Sequence, residues 1–360
     1  MGAHILWFDE YDDAHAPVVG GKCASLGAMT RVGLPVPMGF AVTTDGFMDS
    51  VTRNDVGRSV DAALGSLDVR DLDALTAAAE QARQAVMDSG PARAVEQSVR
   101  SAYAELNERT EHAEAPVAIR SSATAEDQPD ASFAGQQDTY LWVRGADDVV
   151  HHVVRCWASL YTDRAIAYRA EQGYAHEQVA MCVGVQIMLT PKAAGVAFTI
   201  DPTNGDRSKV VIDAAWGLGE SVVSGTVTPD NFVVDKVIFE IVKRTISAKE
   251  VECVLDHTAD RVVQVALSPE RSAEPCLTDA EVKAVARLAR QAEKHFGRPQ
   301  DVEWALSHGD DGEPAVSLLQ SRPETVWSNR ARVSVSSGIV SPMDGIVSTL
   351  LTPVRVRNPQ

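Results

Sequence analysis

The spacing of apolar residues along the chain predicts several amphipathic helices. Apolar positions recur at helical spacing over Lys22–Val32, and the pattern stops at Gly33 with Pro35 just beyond, as helices commonly end. The Ala-rich, charged segment 56–110 predicts two or three helices, and Asp147–Tyr168 predicts another. Each of these helices is expected to bury one apolar face.

Shorter apolar runs predict β-strands. They are Phe40–Thr43, Val117–Ile119, Val179–Leu189, Gly195–Ile200, Lys209–Ala214 and Asn231–Asp235. Thr278–Phe296 predicts a helix that begins with a capping box, and Asp301–Leu306 with Ala315–Leu319 predicts a hairpin around a polar loop. From Ser328 onward the pattern decays, which predicts a tail or linker. The mixture of helices and strands favours an α/β or α+β fold.

Composition narrows the class of protein without revealing its chemistry. The 360 residues are 45% hydrophobic and 23% charged, which is ordinary for a globular protein with a substantial core. Asp and Glu outnumber Lys and Arg by 50 to 33, so the formal charge is −17. A chain this acidic repels phosphate and is not expected to bind nucleic acid or an anionic membrane. An anionic ligand must therefore be held by a few local basic side chains.

The cysteines and the N-terminus predict a cytoplasmic protein. Cys23, Cys156, Cys182, Cys253 and Cys276 form no Cys-x-x-Cys pair, and their odd number favours buried, reduced thiols. The N-terminus carries acids and no basic cluster, so it is not expected to act as a signal peptide. The longest mostly apolar run is much shorter than the roughly 20 residues that cross a bilayer. No membrane partner is therefore predicted.

The stretch Gly20-Gly-Lys-Cys-Ala-Ser-Leu-Gly is a candidate phosphate site. A Gly-Gly turn leading into a helix can present backbone N–H groups to an anion, and Lys22 adds a cation. The spacing is not that of a Walker A loop. Because a turn with a solvated lysine explains the same residues, this stretch alone leaves both interpretations open.

Arg120 directly follows a predicted strand in the sequence Val117-Ala-Ile-Arg-Ser-Ser. An arginine at a strand end can clamp a polyphosphate through two parallel hydrogen bonds. The alternative is a structural arginine that pairs with Glu126 or Asp127. The acidic residues that follow so closely make this alternative a serious one.

Two further stretches have the composition of nucleotide contacts. Ser132-Phe-Ala-Gly-Gln-Gln-Asp-Thr-Tyr combines small residues with hydroxyls, and Phe133 is placed to cover a ligand and exclude water. Gln186-Ile-Met-Leu-Thr-Pro ends a predicted central strand, where Met188 suits packing on a purine ring. The alternatives are a surface turn for the former and a plain core strand for the latter, and periodicity alone favours the core strand.

The predicted hairpin brings the most telling polar residues together. Asp301 and Glu303 share one strand face, and Gln320 and Arg322 share a face of the partner strand. If the strands pair in this way, a carboxylate, an amide oxygen and an arginine converge. Proteins hold Mg²⁺ with such oxygen ligands, completed by ligand phosphates and water. The alternative is a salt-bridged surface hairpin, although Pro323 ends the strand where a surface strand would be free to continue.

Taken in order, these motifs resemble the N-terminal ATP-binding domain of the phosphoenolpyruvate synthase and pyruvate phosphate dikinase family. Rifampicin phosphotransferase and phenylphosphate synthase belong to the same group. The resemblance covers roughly residues 5–326. Besides the stretches above, it rests on Val36–Thr44, Thr162–Arg169, Gly195–Pro202 and Gly217–Gly225.

The resemblance implies an α+β fold of the ATP-grasp type, with ATP and Mg²⁺ in a cleft between two lobes. The lobes would be residues 1–190 and 191–327, and residues 328–360 would form a tail or linker. Members of this family cleave ATP to AMP and phosphate while they pass the β-phosphoryl group to a histidine on a separate, mobile domain. The same chemistry is therefore the expectation for this chain.

The resemblance also assigns roles to individual residues. It implies that Lys22, Arg120 and Arg322 are the catalytic cations that clamp the phosphates, and that Glu303 and Gln320 are the magnesium ligands. The other positions that it implies in nucleotide binding are Gly21, Ser132, Phe133, Ala134, Gly135, Gln136, Thr139, Gln186, Met188 and Leu189. Most of these residues coincide with those selected above on their chemistry.

The sequence departs from the family in one respect, because none of its nine histidines lies in the family's Thr-x-His-Ala type motif. We therefore expect the nucleotide-binding subunit of a split phosphotransferase, whose histidine and acceptor domains lie on a partner subunit. Phenylphosphate synthase is organised in this way, which favours a phenolic or similar small hydroxyl acceptor. The alternatives are the ATP domain of a phosphoenolpyruvate synthase-like or rifamycin-phosphorylating enzyme, and, from another class, a nucleotide sensor without catalysis.

Overall fold

The structure is a computed structural model, and it describes most of the chain. The described residues are 3–52, 55–65, 67–124, 127–128, 131–132, 139–174, 179–256, 258–308 and 313–327, with 127–128 and 131–132 as backbone. Met1–Glu324 form one compact unit and Thr325–Gln360 are assigned to a second. The predicted tail from Ser328 onward lies outside the described residues.

The described chain combines helices and strands. Its strands are β1 (Ile5–Trp7), β2 (Gly39–Val42), β3 (Val117–Ala123), β4 (Asp127–Gln128), β5 (Ala131–Ser132), β6 (Thr139–Val143), β7 (Met181–Ile187), β8 (Ala193–Phe198), β9 (Lys209–Trp216), β10 (Asp230–Asp235), β11 (Ile241–Thr245), β12 (Val251–Asp256), β13 (Arg261–Ala266), β14 (Gln300–His308) and β15 (Pro314–Pro323). Its α-helices are α1 (Ala16–Arg31), α2 (Thr44–Phe47), α3 (Asp55–Leu64), α4 (Leu72–Ser89), α5 (Arg93–Arg109), α6 (Ala146–Ala158), α7 (Asp163–Gln172), α8 (Glu220–Val223), α9 (Pro269–Ala273) and α10 (Asp279–Phe296). The chain is thus an α+β protein, as predicted.

The first sheet has the strand order β1-β2-β7-β3-β6, with antiparallel pairing between neighbours. Its central strand β7 is the predicted strand within Val179–Leu189, and all of its residues before Ile187 are buried. One apolar cluster joins this sheet to helices α3 to α6, with Phe47 and Trp157 in contact at its centre. A second cluster joins the sheet to α1. Because both faces are covered, β7 is apolar along nearly its whole length.

The second sheet has the order β11-β10-β9-β8-β14-β15, again with antiparallel pairing. Alternate residues of β14, such as Val302 and Trp304, are buried in the cluster that includes helix α10. Their neighbours Asp301 and Glu303 lie on the opposite face, because side chains alternate along a strand. Helix α10 begins at the predicted capping box, in which Thr278 and Glu281 each accept a hydrogen bond from the other's backbone.

The prediction of one continuous helix over Asp147–Tyr168 is wrong. Helix α6 ends at Ala158, a 3₁₀ turn covers Ser159–Tyr161, and α7 begins at Asp163. Thr162 is extended, and its side chain accepts a hydrogen bond from the backbone N–H of Ala165. A threonine in this position caps a new helix and interrupts the old one, although the apolar spacing continues through it.

Other expectations from composition can be compared directly with the structure. All five cysteines are buried thiols, as predicted. Within the described residues, no helix combines the length and the apolar content needed to cross a membrane. The first sheet is built from residues before Met188 and the second from residues after Lys192. The assignment of these parts as lobes 1–190 and 191–327 stays a prediction.

Candidate functional site

Strands β14 and β15 pair so that the four selected polar residues face one another across the hairpin. Glu303 lies directly opposite Gln320, and Asp301 lies opposite Arg322. The hairpin was predicted from its turn, and the alternation of its residues predicted which side chains share a face. The structure supplies the pairing register, which shifts between Glu303 and Trp304.

Arg120, on strand β3 of the first sheet, reaches across to this hairpin. Its Nη1 donates to Glu303 Oε2 at 3.0 Å and to Gln320 Oε1 at 3.3 Å. Its Nε atom is buried and has no hydrogen-bond partner among the described residues. The guanidinium therefore connects the two sheets and retains a donor that a ligand can satisfy.

Lys22 lies next to Arg120 because of a close contact between α1 and β3. Gly20 adopts φ 67°, and a Cβ atom there would lie 2.2 Å from the Ser122 carbonyl oxygen. Only glycine accepts both this conformation and this approach. The helix continues from this kink through Gly21, and Lys22 Nζ donates to the carbonyl of Ser121 at 3.0 Å.

A small pocket opens between these elements. It is lined by Phe8, Lys22, Cys23, Leu26, Arg120, Gly184, Gln186, Leu319 and Gln320. The structure thus brings together Lys22, Arg120, Gln186 and Gln320, which are separated by up to 298 positions in the sequence. The side chains around the pocket thus include two cations, two amides and several apolar residues.

The segment predicted to contact adenine lies at the end of β7. Gln186 is buried, and its amide nitrogen donates to the carbonyl of Pro37 at 3.3 Å. Met188 follows the strand and is half-buried, with its backbone N–H bonded to the Pro116 carbonyl at 2.8 Å, and Leu189 comes next. The Gln186 side chain therefore supports the pocket wall as well as lining the pocket.

The predicted phosphate loop is described only in part. Ser132 is the end of β5, where it pairs with Asp127, and Thr139 begins β6, where it pairs with Arg120. Phe133, Ala134, Gly135 and Gln136 lie outside the described residues. The roles of these four residues stay predictions.

Asp301 is a titratable residue that was predicted to share a strand face with Glu303 but was not predicted to belong to the site. Its Oδ2 lies 3.5 Å from Arg322 Nε, and its buried Oδ1 has no hydrogen-bond partner among the described residues. Burial raises the pKa of this carboxyl to about 6, although Arg322 acts to lower it. The Asp-x-Glu spacing on a hairpin strand was the pattern that could have selected it. A carboxyl held in this way can attract a proton or a cation.

The donor set on the hairpin fits a magnesium ion. Glu303 and Gln320 direct oxygens to the same guanidinium nitrogen, so their oxygens lie close together. Mg²⁺ prefers hard oxygen ligands and is usually held by one or two protein groups plus substrate phosphates. No group of three or more His, Cys, Asp and Glu side chains suited to a metal occurs in the described part of the chain.

Comparison with known protein families gives one match over most of the chain. Residues 16–339 match the family model described as "Pyruvate phosphate dikinase, AMP/ATP-binding domain". All of the predicted site residues, from Gly21 to Arg322, fall within this range.

Curated relatives match the chain over nearly all of its length. It is 43% identical over 347 residues to a probable phosphoenolpyruvate synthase of Staphylothermus marinus, covering 91% of this chain and 42% of the relative. It is 42% identical to a probable phosphoenolpyruvate synthase of Methanocaldococcus jannaschii, covering 89% of this chain and 26% of the relative. It is 40% identical to the phosphoenolpyruvate synthase of Pyrococcus furiosus, covering 91% of this chain and 44% of the relative. The chain therefore spans less than half the length of each of these relatives.

Proposed function

The chain belongs to the pyruvate phosphate dikinase AMP/ATP-binding domain family, and from this premise we propose that it binds and cleaves ATP as the nucleotide domain of a phosphoenolpyruvate synthase-like dikinase. In this proposal the fold is an ATP-grasp with two lobes, 1–190 and 191–327, around the nucleotide. ATP is cleaved to AMP and phosphate, and the β-phosphoryl group passes to a histidine on another domain.

One observation carries the proposal. Lys22 and Arg120 meet Glu303 and Gln320 in one place, although the four residues come from α1, β3, β14 and β15. A purely structural ion pair does not need a second cation and an amide oxygen beside it. A triphosphate does, because its charge must be neutralised by several donors while the reacting groups are held in line.

Each residue has a defined task in this proposal. Lys22, Arg120 and Arg322 bind phosphate oxygens and stabilise the charge that develops during transfer. Glu303 and Gln320 hold Mg²⁺, which supplies further neutralisation of the phosphates. The adenine contacts Gln186, Met188 and Leu189. The phosphates receive hydrogen bonds from the loop residues Gly21, Ser132, Gly135 and Thr139. Because positioning and charge neutralisation provide most of the catalysis in phosphoryl transfer, no protein nucleophile is required in this domain.

The relatives favour pyruvate as the final acceptor. The sequence resemblance led us to expect a phenolic acceptor, but the relatives reported above carry the name phosphoenolpyruvate synthase. The alternative reading from the sequence is therefore the better supported one. We place the phosphohistidine and acceptor domains outside the nucleotide domain, either on a partner subunit or on the same polypeptide.

Nucleotide binding and transfer can be tested separately. ATP and AMP affinities of the purified chain are measured calorimetrically with and without Mg²⁺, for the wild type and for Glu303→Gln. AMP formation is then measured after adding the histidine and acceptor domains of a phosphoenolpyruvate synthase with pyruvate, those of a phenylphosphate synthase with phenol, or those of a rifampicin phosphotransferase with a rifamycin. We expect Mg²⁺-dependent ATP binding, AMP release with pyruvate, and loss of AMP release by roughly 10²-fold or more in Glu303→Gln.

The outcomes separate the candidate functions. ATP binding without AMP formation under any of these conditions would favour a nucleotide sensor. AMP formation with phenol and not with pyruvate would restore the phenolic acceptor. Absence of ATP binding by the folded wild type would overturn the proposal itself.

A further inference from the structure

A two-stranded element, β12 paired with β13, connects the second sheet to the first. At its base, the backbone N–H of Leu218 donates to the Cys253 carbonyl at 2.7 Å, next to a bridge between Gly217 and Cys253. A Cβ atom on Gly217 would lie 2.2 Å from that carbonyl oxygen. The strand pair is therefore seated tightly on the end of β9.

The far end of this element contacts strand β6 of the first sheet. Asp260 precedes β13 and has φ 48°. Its Oδ1 accepts hydrogen bonds from the indole Nε1 of Trp142 at 2.9 Å and from Arg144 Nη1 at 3.0 Å. The Asp260 carboxylate, next to the β12–β13 pair, thus binds two side chains from the end of strand β6 and the residue that follows it.

Trp142 also contacts the segment predicted to bind adenine. It has φ 60° and lies in a register irregularity of the pairing between β3 and β6, a place where such a conformation is accommodated. Its backbone N–H donates to the sulfur of Met188 at 2.8 Å. Asp260, Trp142 and Met188 therefore form a continuous chain of contacts that ends where the base is proposed to bind.

We propose that Asp260 is a positioning residue for the nucleotide base, acting through Trp142 on Met188. This inference rests on the proposed function, because it requires that the Met188 side of the cleft receives adenine. Asp260 does not touch the nucleotide itself. It holds the Trp142 indole, and through Trp142 it keeps the Met188 side chain in place and links the second sheet to the base side of the site.

The physical character of the contact predicts a specific pattern of effects. The Asp260 and Trp142 side chains are partly exposed, and partly exposed ion pairs contribute little to global stability. Loss of the contact should therefore leave the thermal unfolding midpoint almost unchanged. It should weaken the binding of ATP and the binding of AMP by the same factor, because both ligands carry the same base and differ only in their phosphates.

The test compares three variants. Asp260→Gly removes the carboxylate while tolerating a positive φ, Trp142→Phe removes only the indole donor, and the double variant combines them. We expect roughly three- to tenfold weaker binding of both ATP and AMP in each single variant, from the loss of one or two hydrogen bonds. The double variant should be no weaker than the worse single one, because both remove the same contact.

A matched control is the exposed ion pair between Glu240 and Lys283, whose closest atoms are 2.9 Å apart and which joins a turn of the second sheet to α10. Glu240→Gln should leave both affinities unchanged. Glu303→Gln should change ATP binding in Mg²⁺ far more than AMP binding, which distinguishes the metal side of the site from the base side.

Failure of the inference and failure of the proposed function give different results. A wild-type chain that binds neither ATP nor AMP overturns the proposed function. A wild type that binds both, with unchanged affinities in Asp260→Gly and Trp142→Phe, overturns the role of Asp260 alone. Additive losses in the double variant would also overturn it, since they would mean that the two residues act separately.

Discussion

Two ion pairs of this protein differ in their burial and in their hydrogen bonding. Lys249 and Asp230 lie 2.6 Å apart with both side chains 0% exposed. Arg120 and Glu303 lie 3.0 Å apart with side chains 16% and 28% exposed. The former joins a loop to strand β10, and the latter joins the two sheets at the pocket.

Hydrogen bonding separates the two pairs further. Asp230 also accepts from the backbone N–H groups of Ser247 and Cys276, at 3.0 and 2.9 Å, and Lys249 also donates to the Ser247 carbonyl at 2.9 Å. At the candidate site, by contrast, Arg120 Nε and Asp301 Oδ1 are buried without a partner among the described residues. Completed hydrogen bonding is expected of a structural pair, and an unfilled donor and acceptor are expected where a ligand binds.

The largest expected effect comes from breaking the buried pair. Lys249→Met leaves the Asp230 carboxylate buried without a cation, which should lower the free energy of unfolding by about 3–5 kcal/mol. Urea denaturation measures this loss. The double variant Asp230→Asn, Lys249→Met should recover part of it, because no isolated charge remains. If Lys249→Met kept its stability but lost ATP affinity, the distinction between the two pairs would fail.

The pocket pair should behave in the opposite way. Arg120→Ala removes a cation whose partner Glu303 is partly exposed, so the free energy of unfolding should fall by less than in Lys249→Met. ATP affinity should fall roughly 10- to 100-fold, since hydrogen bonds to charged groups are worth about 1.5–3 kcal/mol. Calorimetric titration of ATP measures this change. Arg120→Lys is the control, and it should retain part of the affinity because it keeps the charge without the forked geometry.

The pH dependence of stability offers a third comparison. Burial raises the folded-state pKa of Asp301 to about 6, above its unfolded value of about 3.9. The folded state therefore binds the proton more tightly, and the stability that this proton provides is complete below pH 4 and is lost as the pH rises through 6. The cost at pH 8 is about 2–3 kcal/mol.

Asp301→Asn removes this titration. The free energy of unfolding of the variant, relative to the wild type, should therefore rise by about 2 kcal/mol between pH 4 and pH 8. Urea denaturation without nucleotide at the two pH values measures the difference, and any constant effect of the lost Arg322 contact cancels. A difference that is the same at both pH values would show that Asp301 does not titrate in this range.

The smallest expected effect lies in the structural part of the second sheet. Thr278 caps helix α10 through the N–H of Glu281, and Thr278→Ala should lower the free energy of unfolding by about 1 kcal/mol. ATP affinity should be unchanged. Thr278→Ser keeps the capping oxygen and should restore stability, as measured by thermal or urea unfolding. A loss of ATP affinity in Thr278→Ala would place the helix start in the nucleotide site and would blur the comparison.

The local features of this protein were readable from the sequence because they depend on neighbouring residues. The Thr278 capping box, the central strand within Val179–Leu189 and the two-faced strand at Asp301–Leu306 all follow from spacing within a few positions. The break at Thr162 is also a local feature, but the sequence analysis did not predict it. Two local patterns competed there, and apolar spacing was given more weight than the cap.

The sequence by itself determined which side chains were chemically suited to a nucleotide site and which of them shared a strand face. It left each of them with an alternative explanation, such as Arg120 pairing with the acids that follow it. Only the tertiary structure decided that Arg120 contacts Glu303 and Gln320, which lie 183 and 200 positions away. It also decided that Asp260 contacts Trp142. Such contacts depend on how the two sheets pack across their whole surfaces, and local spacing carries no information about that packing.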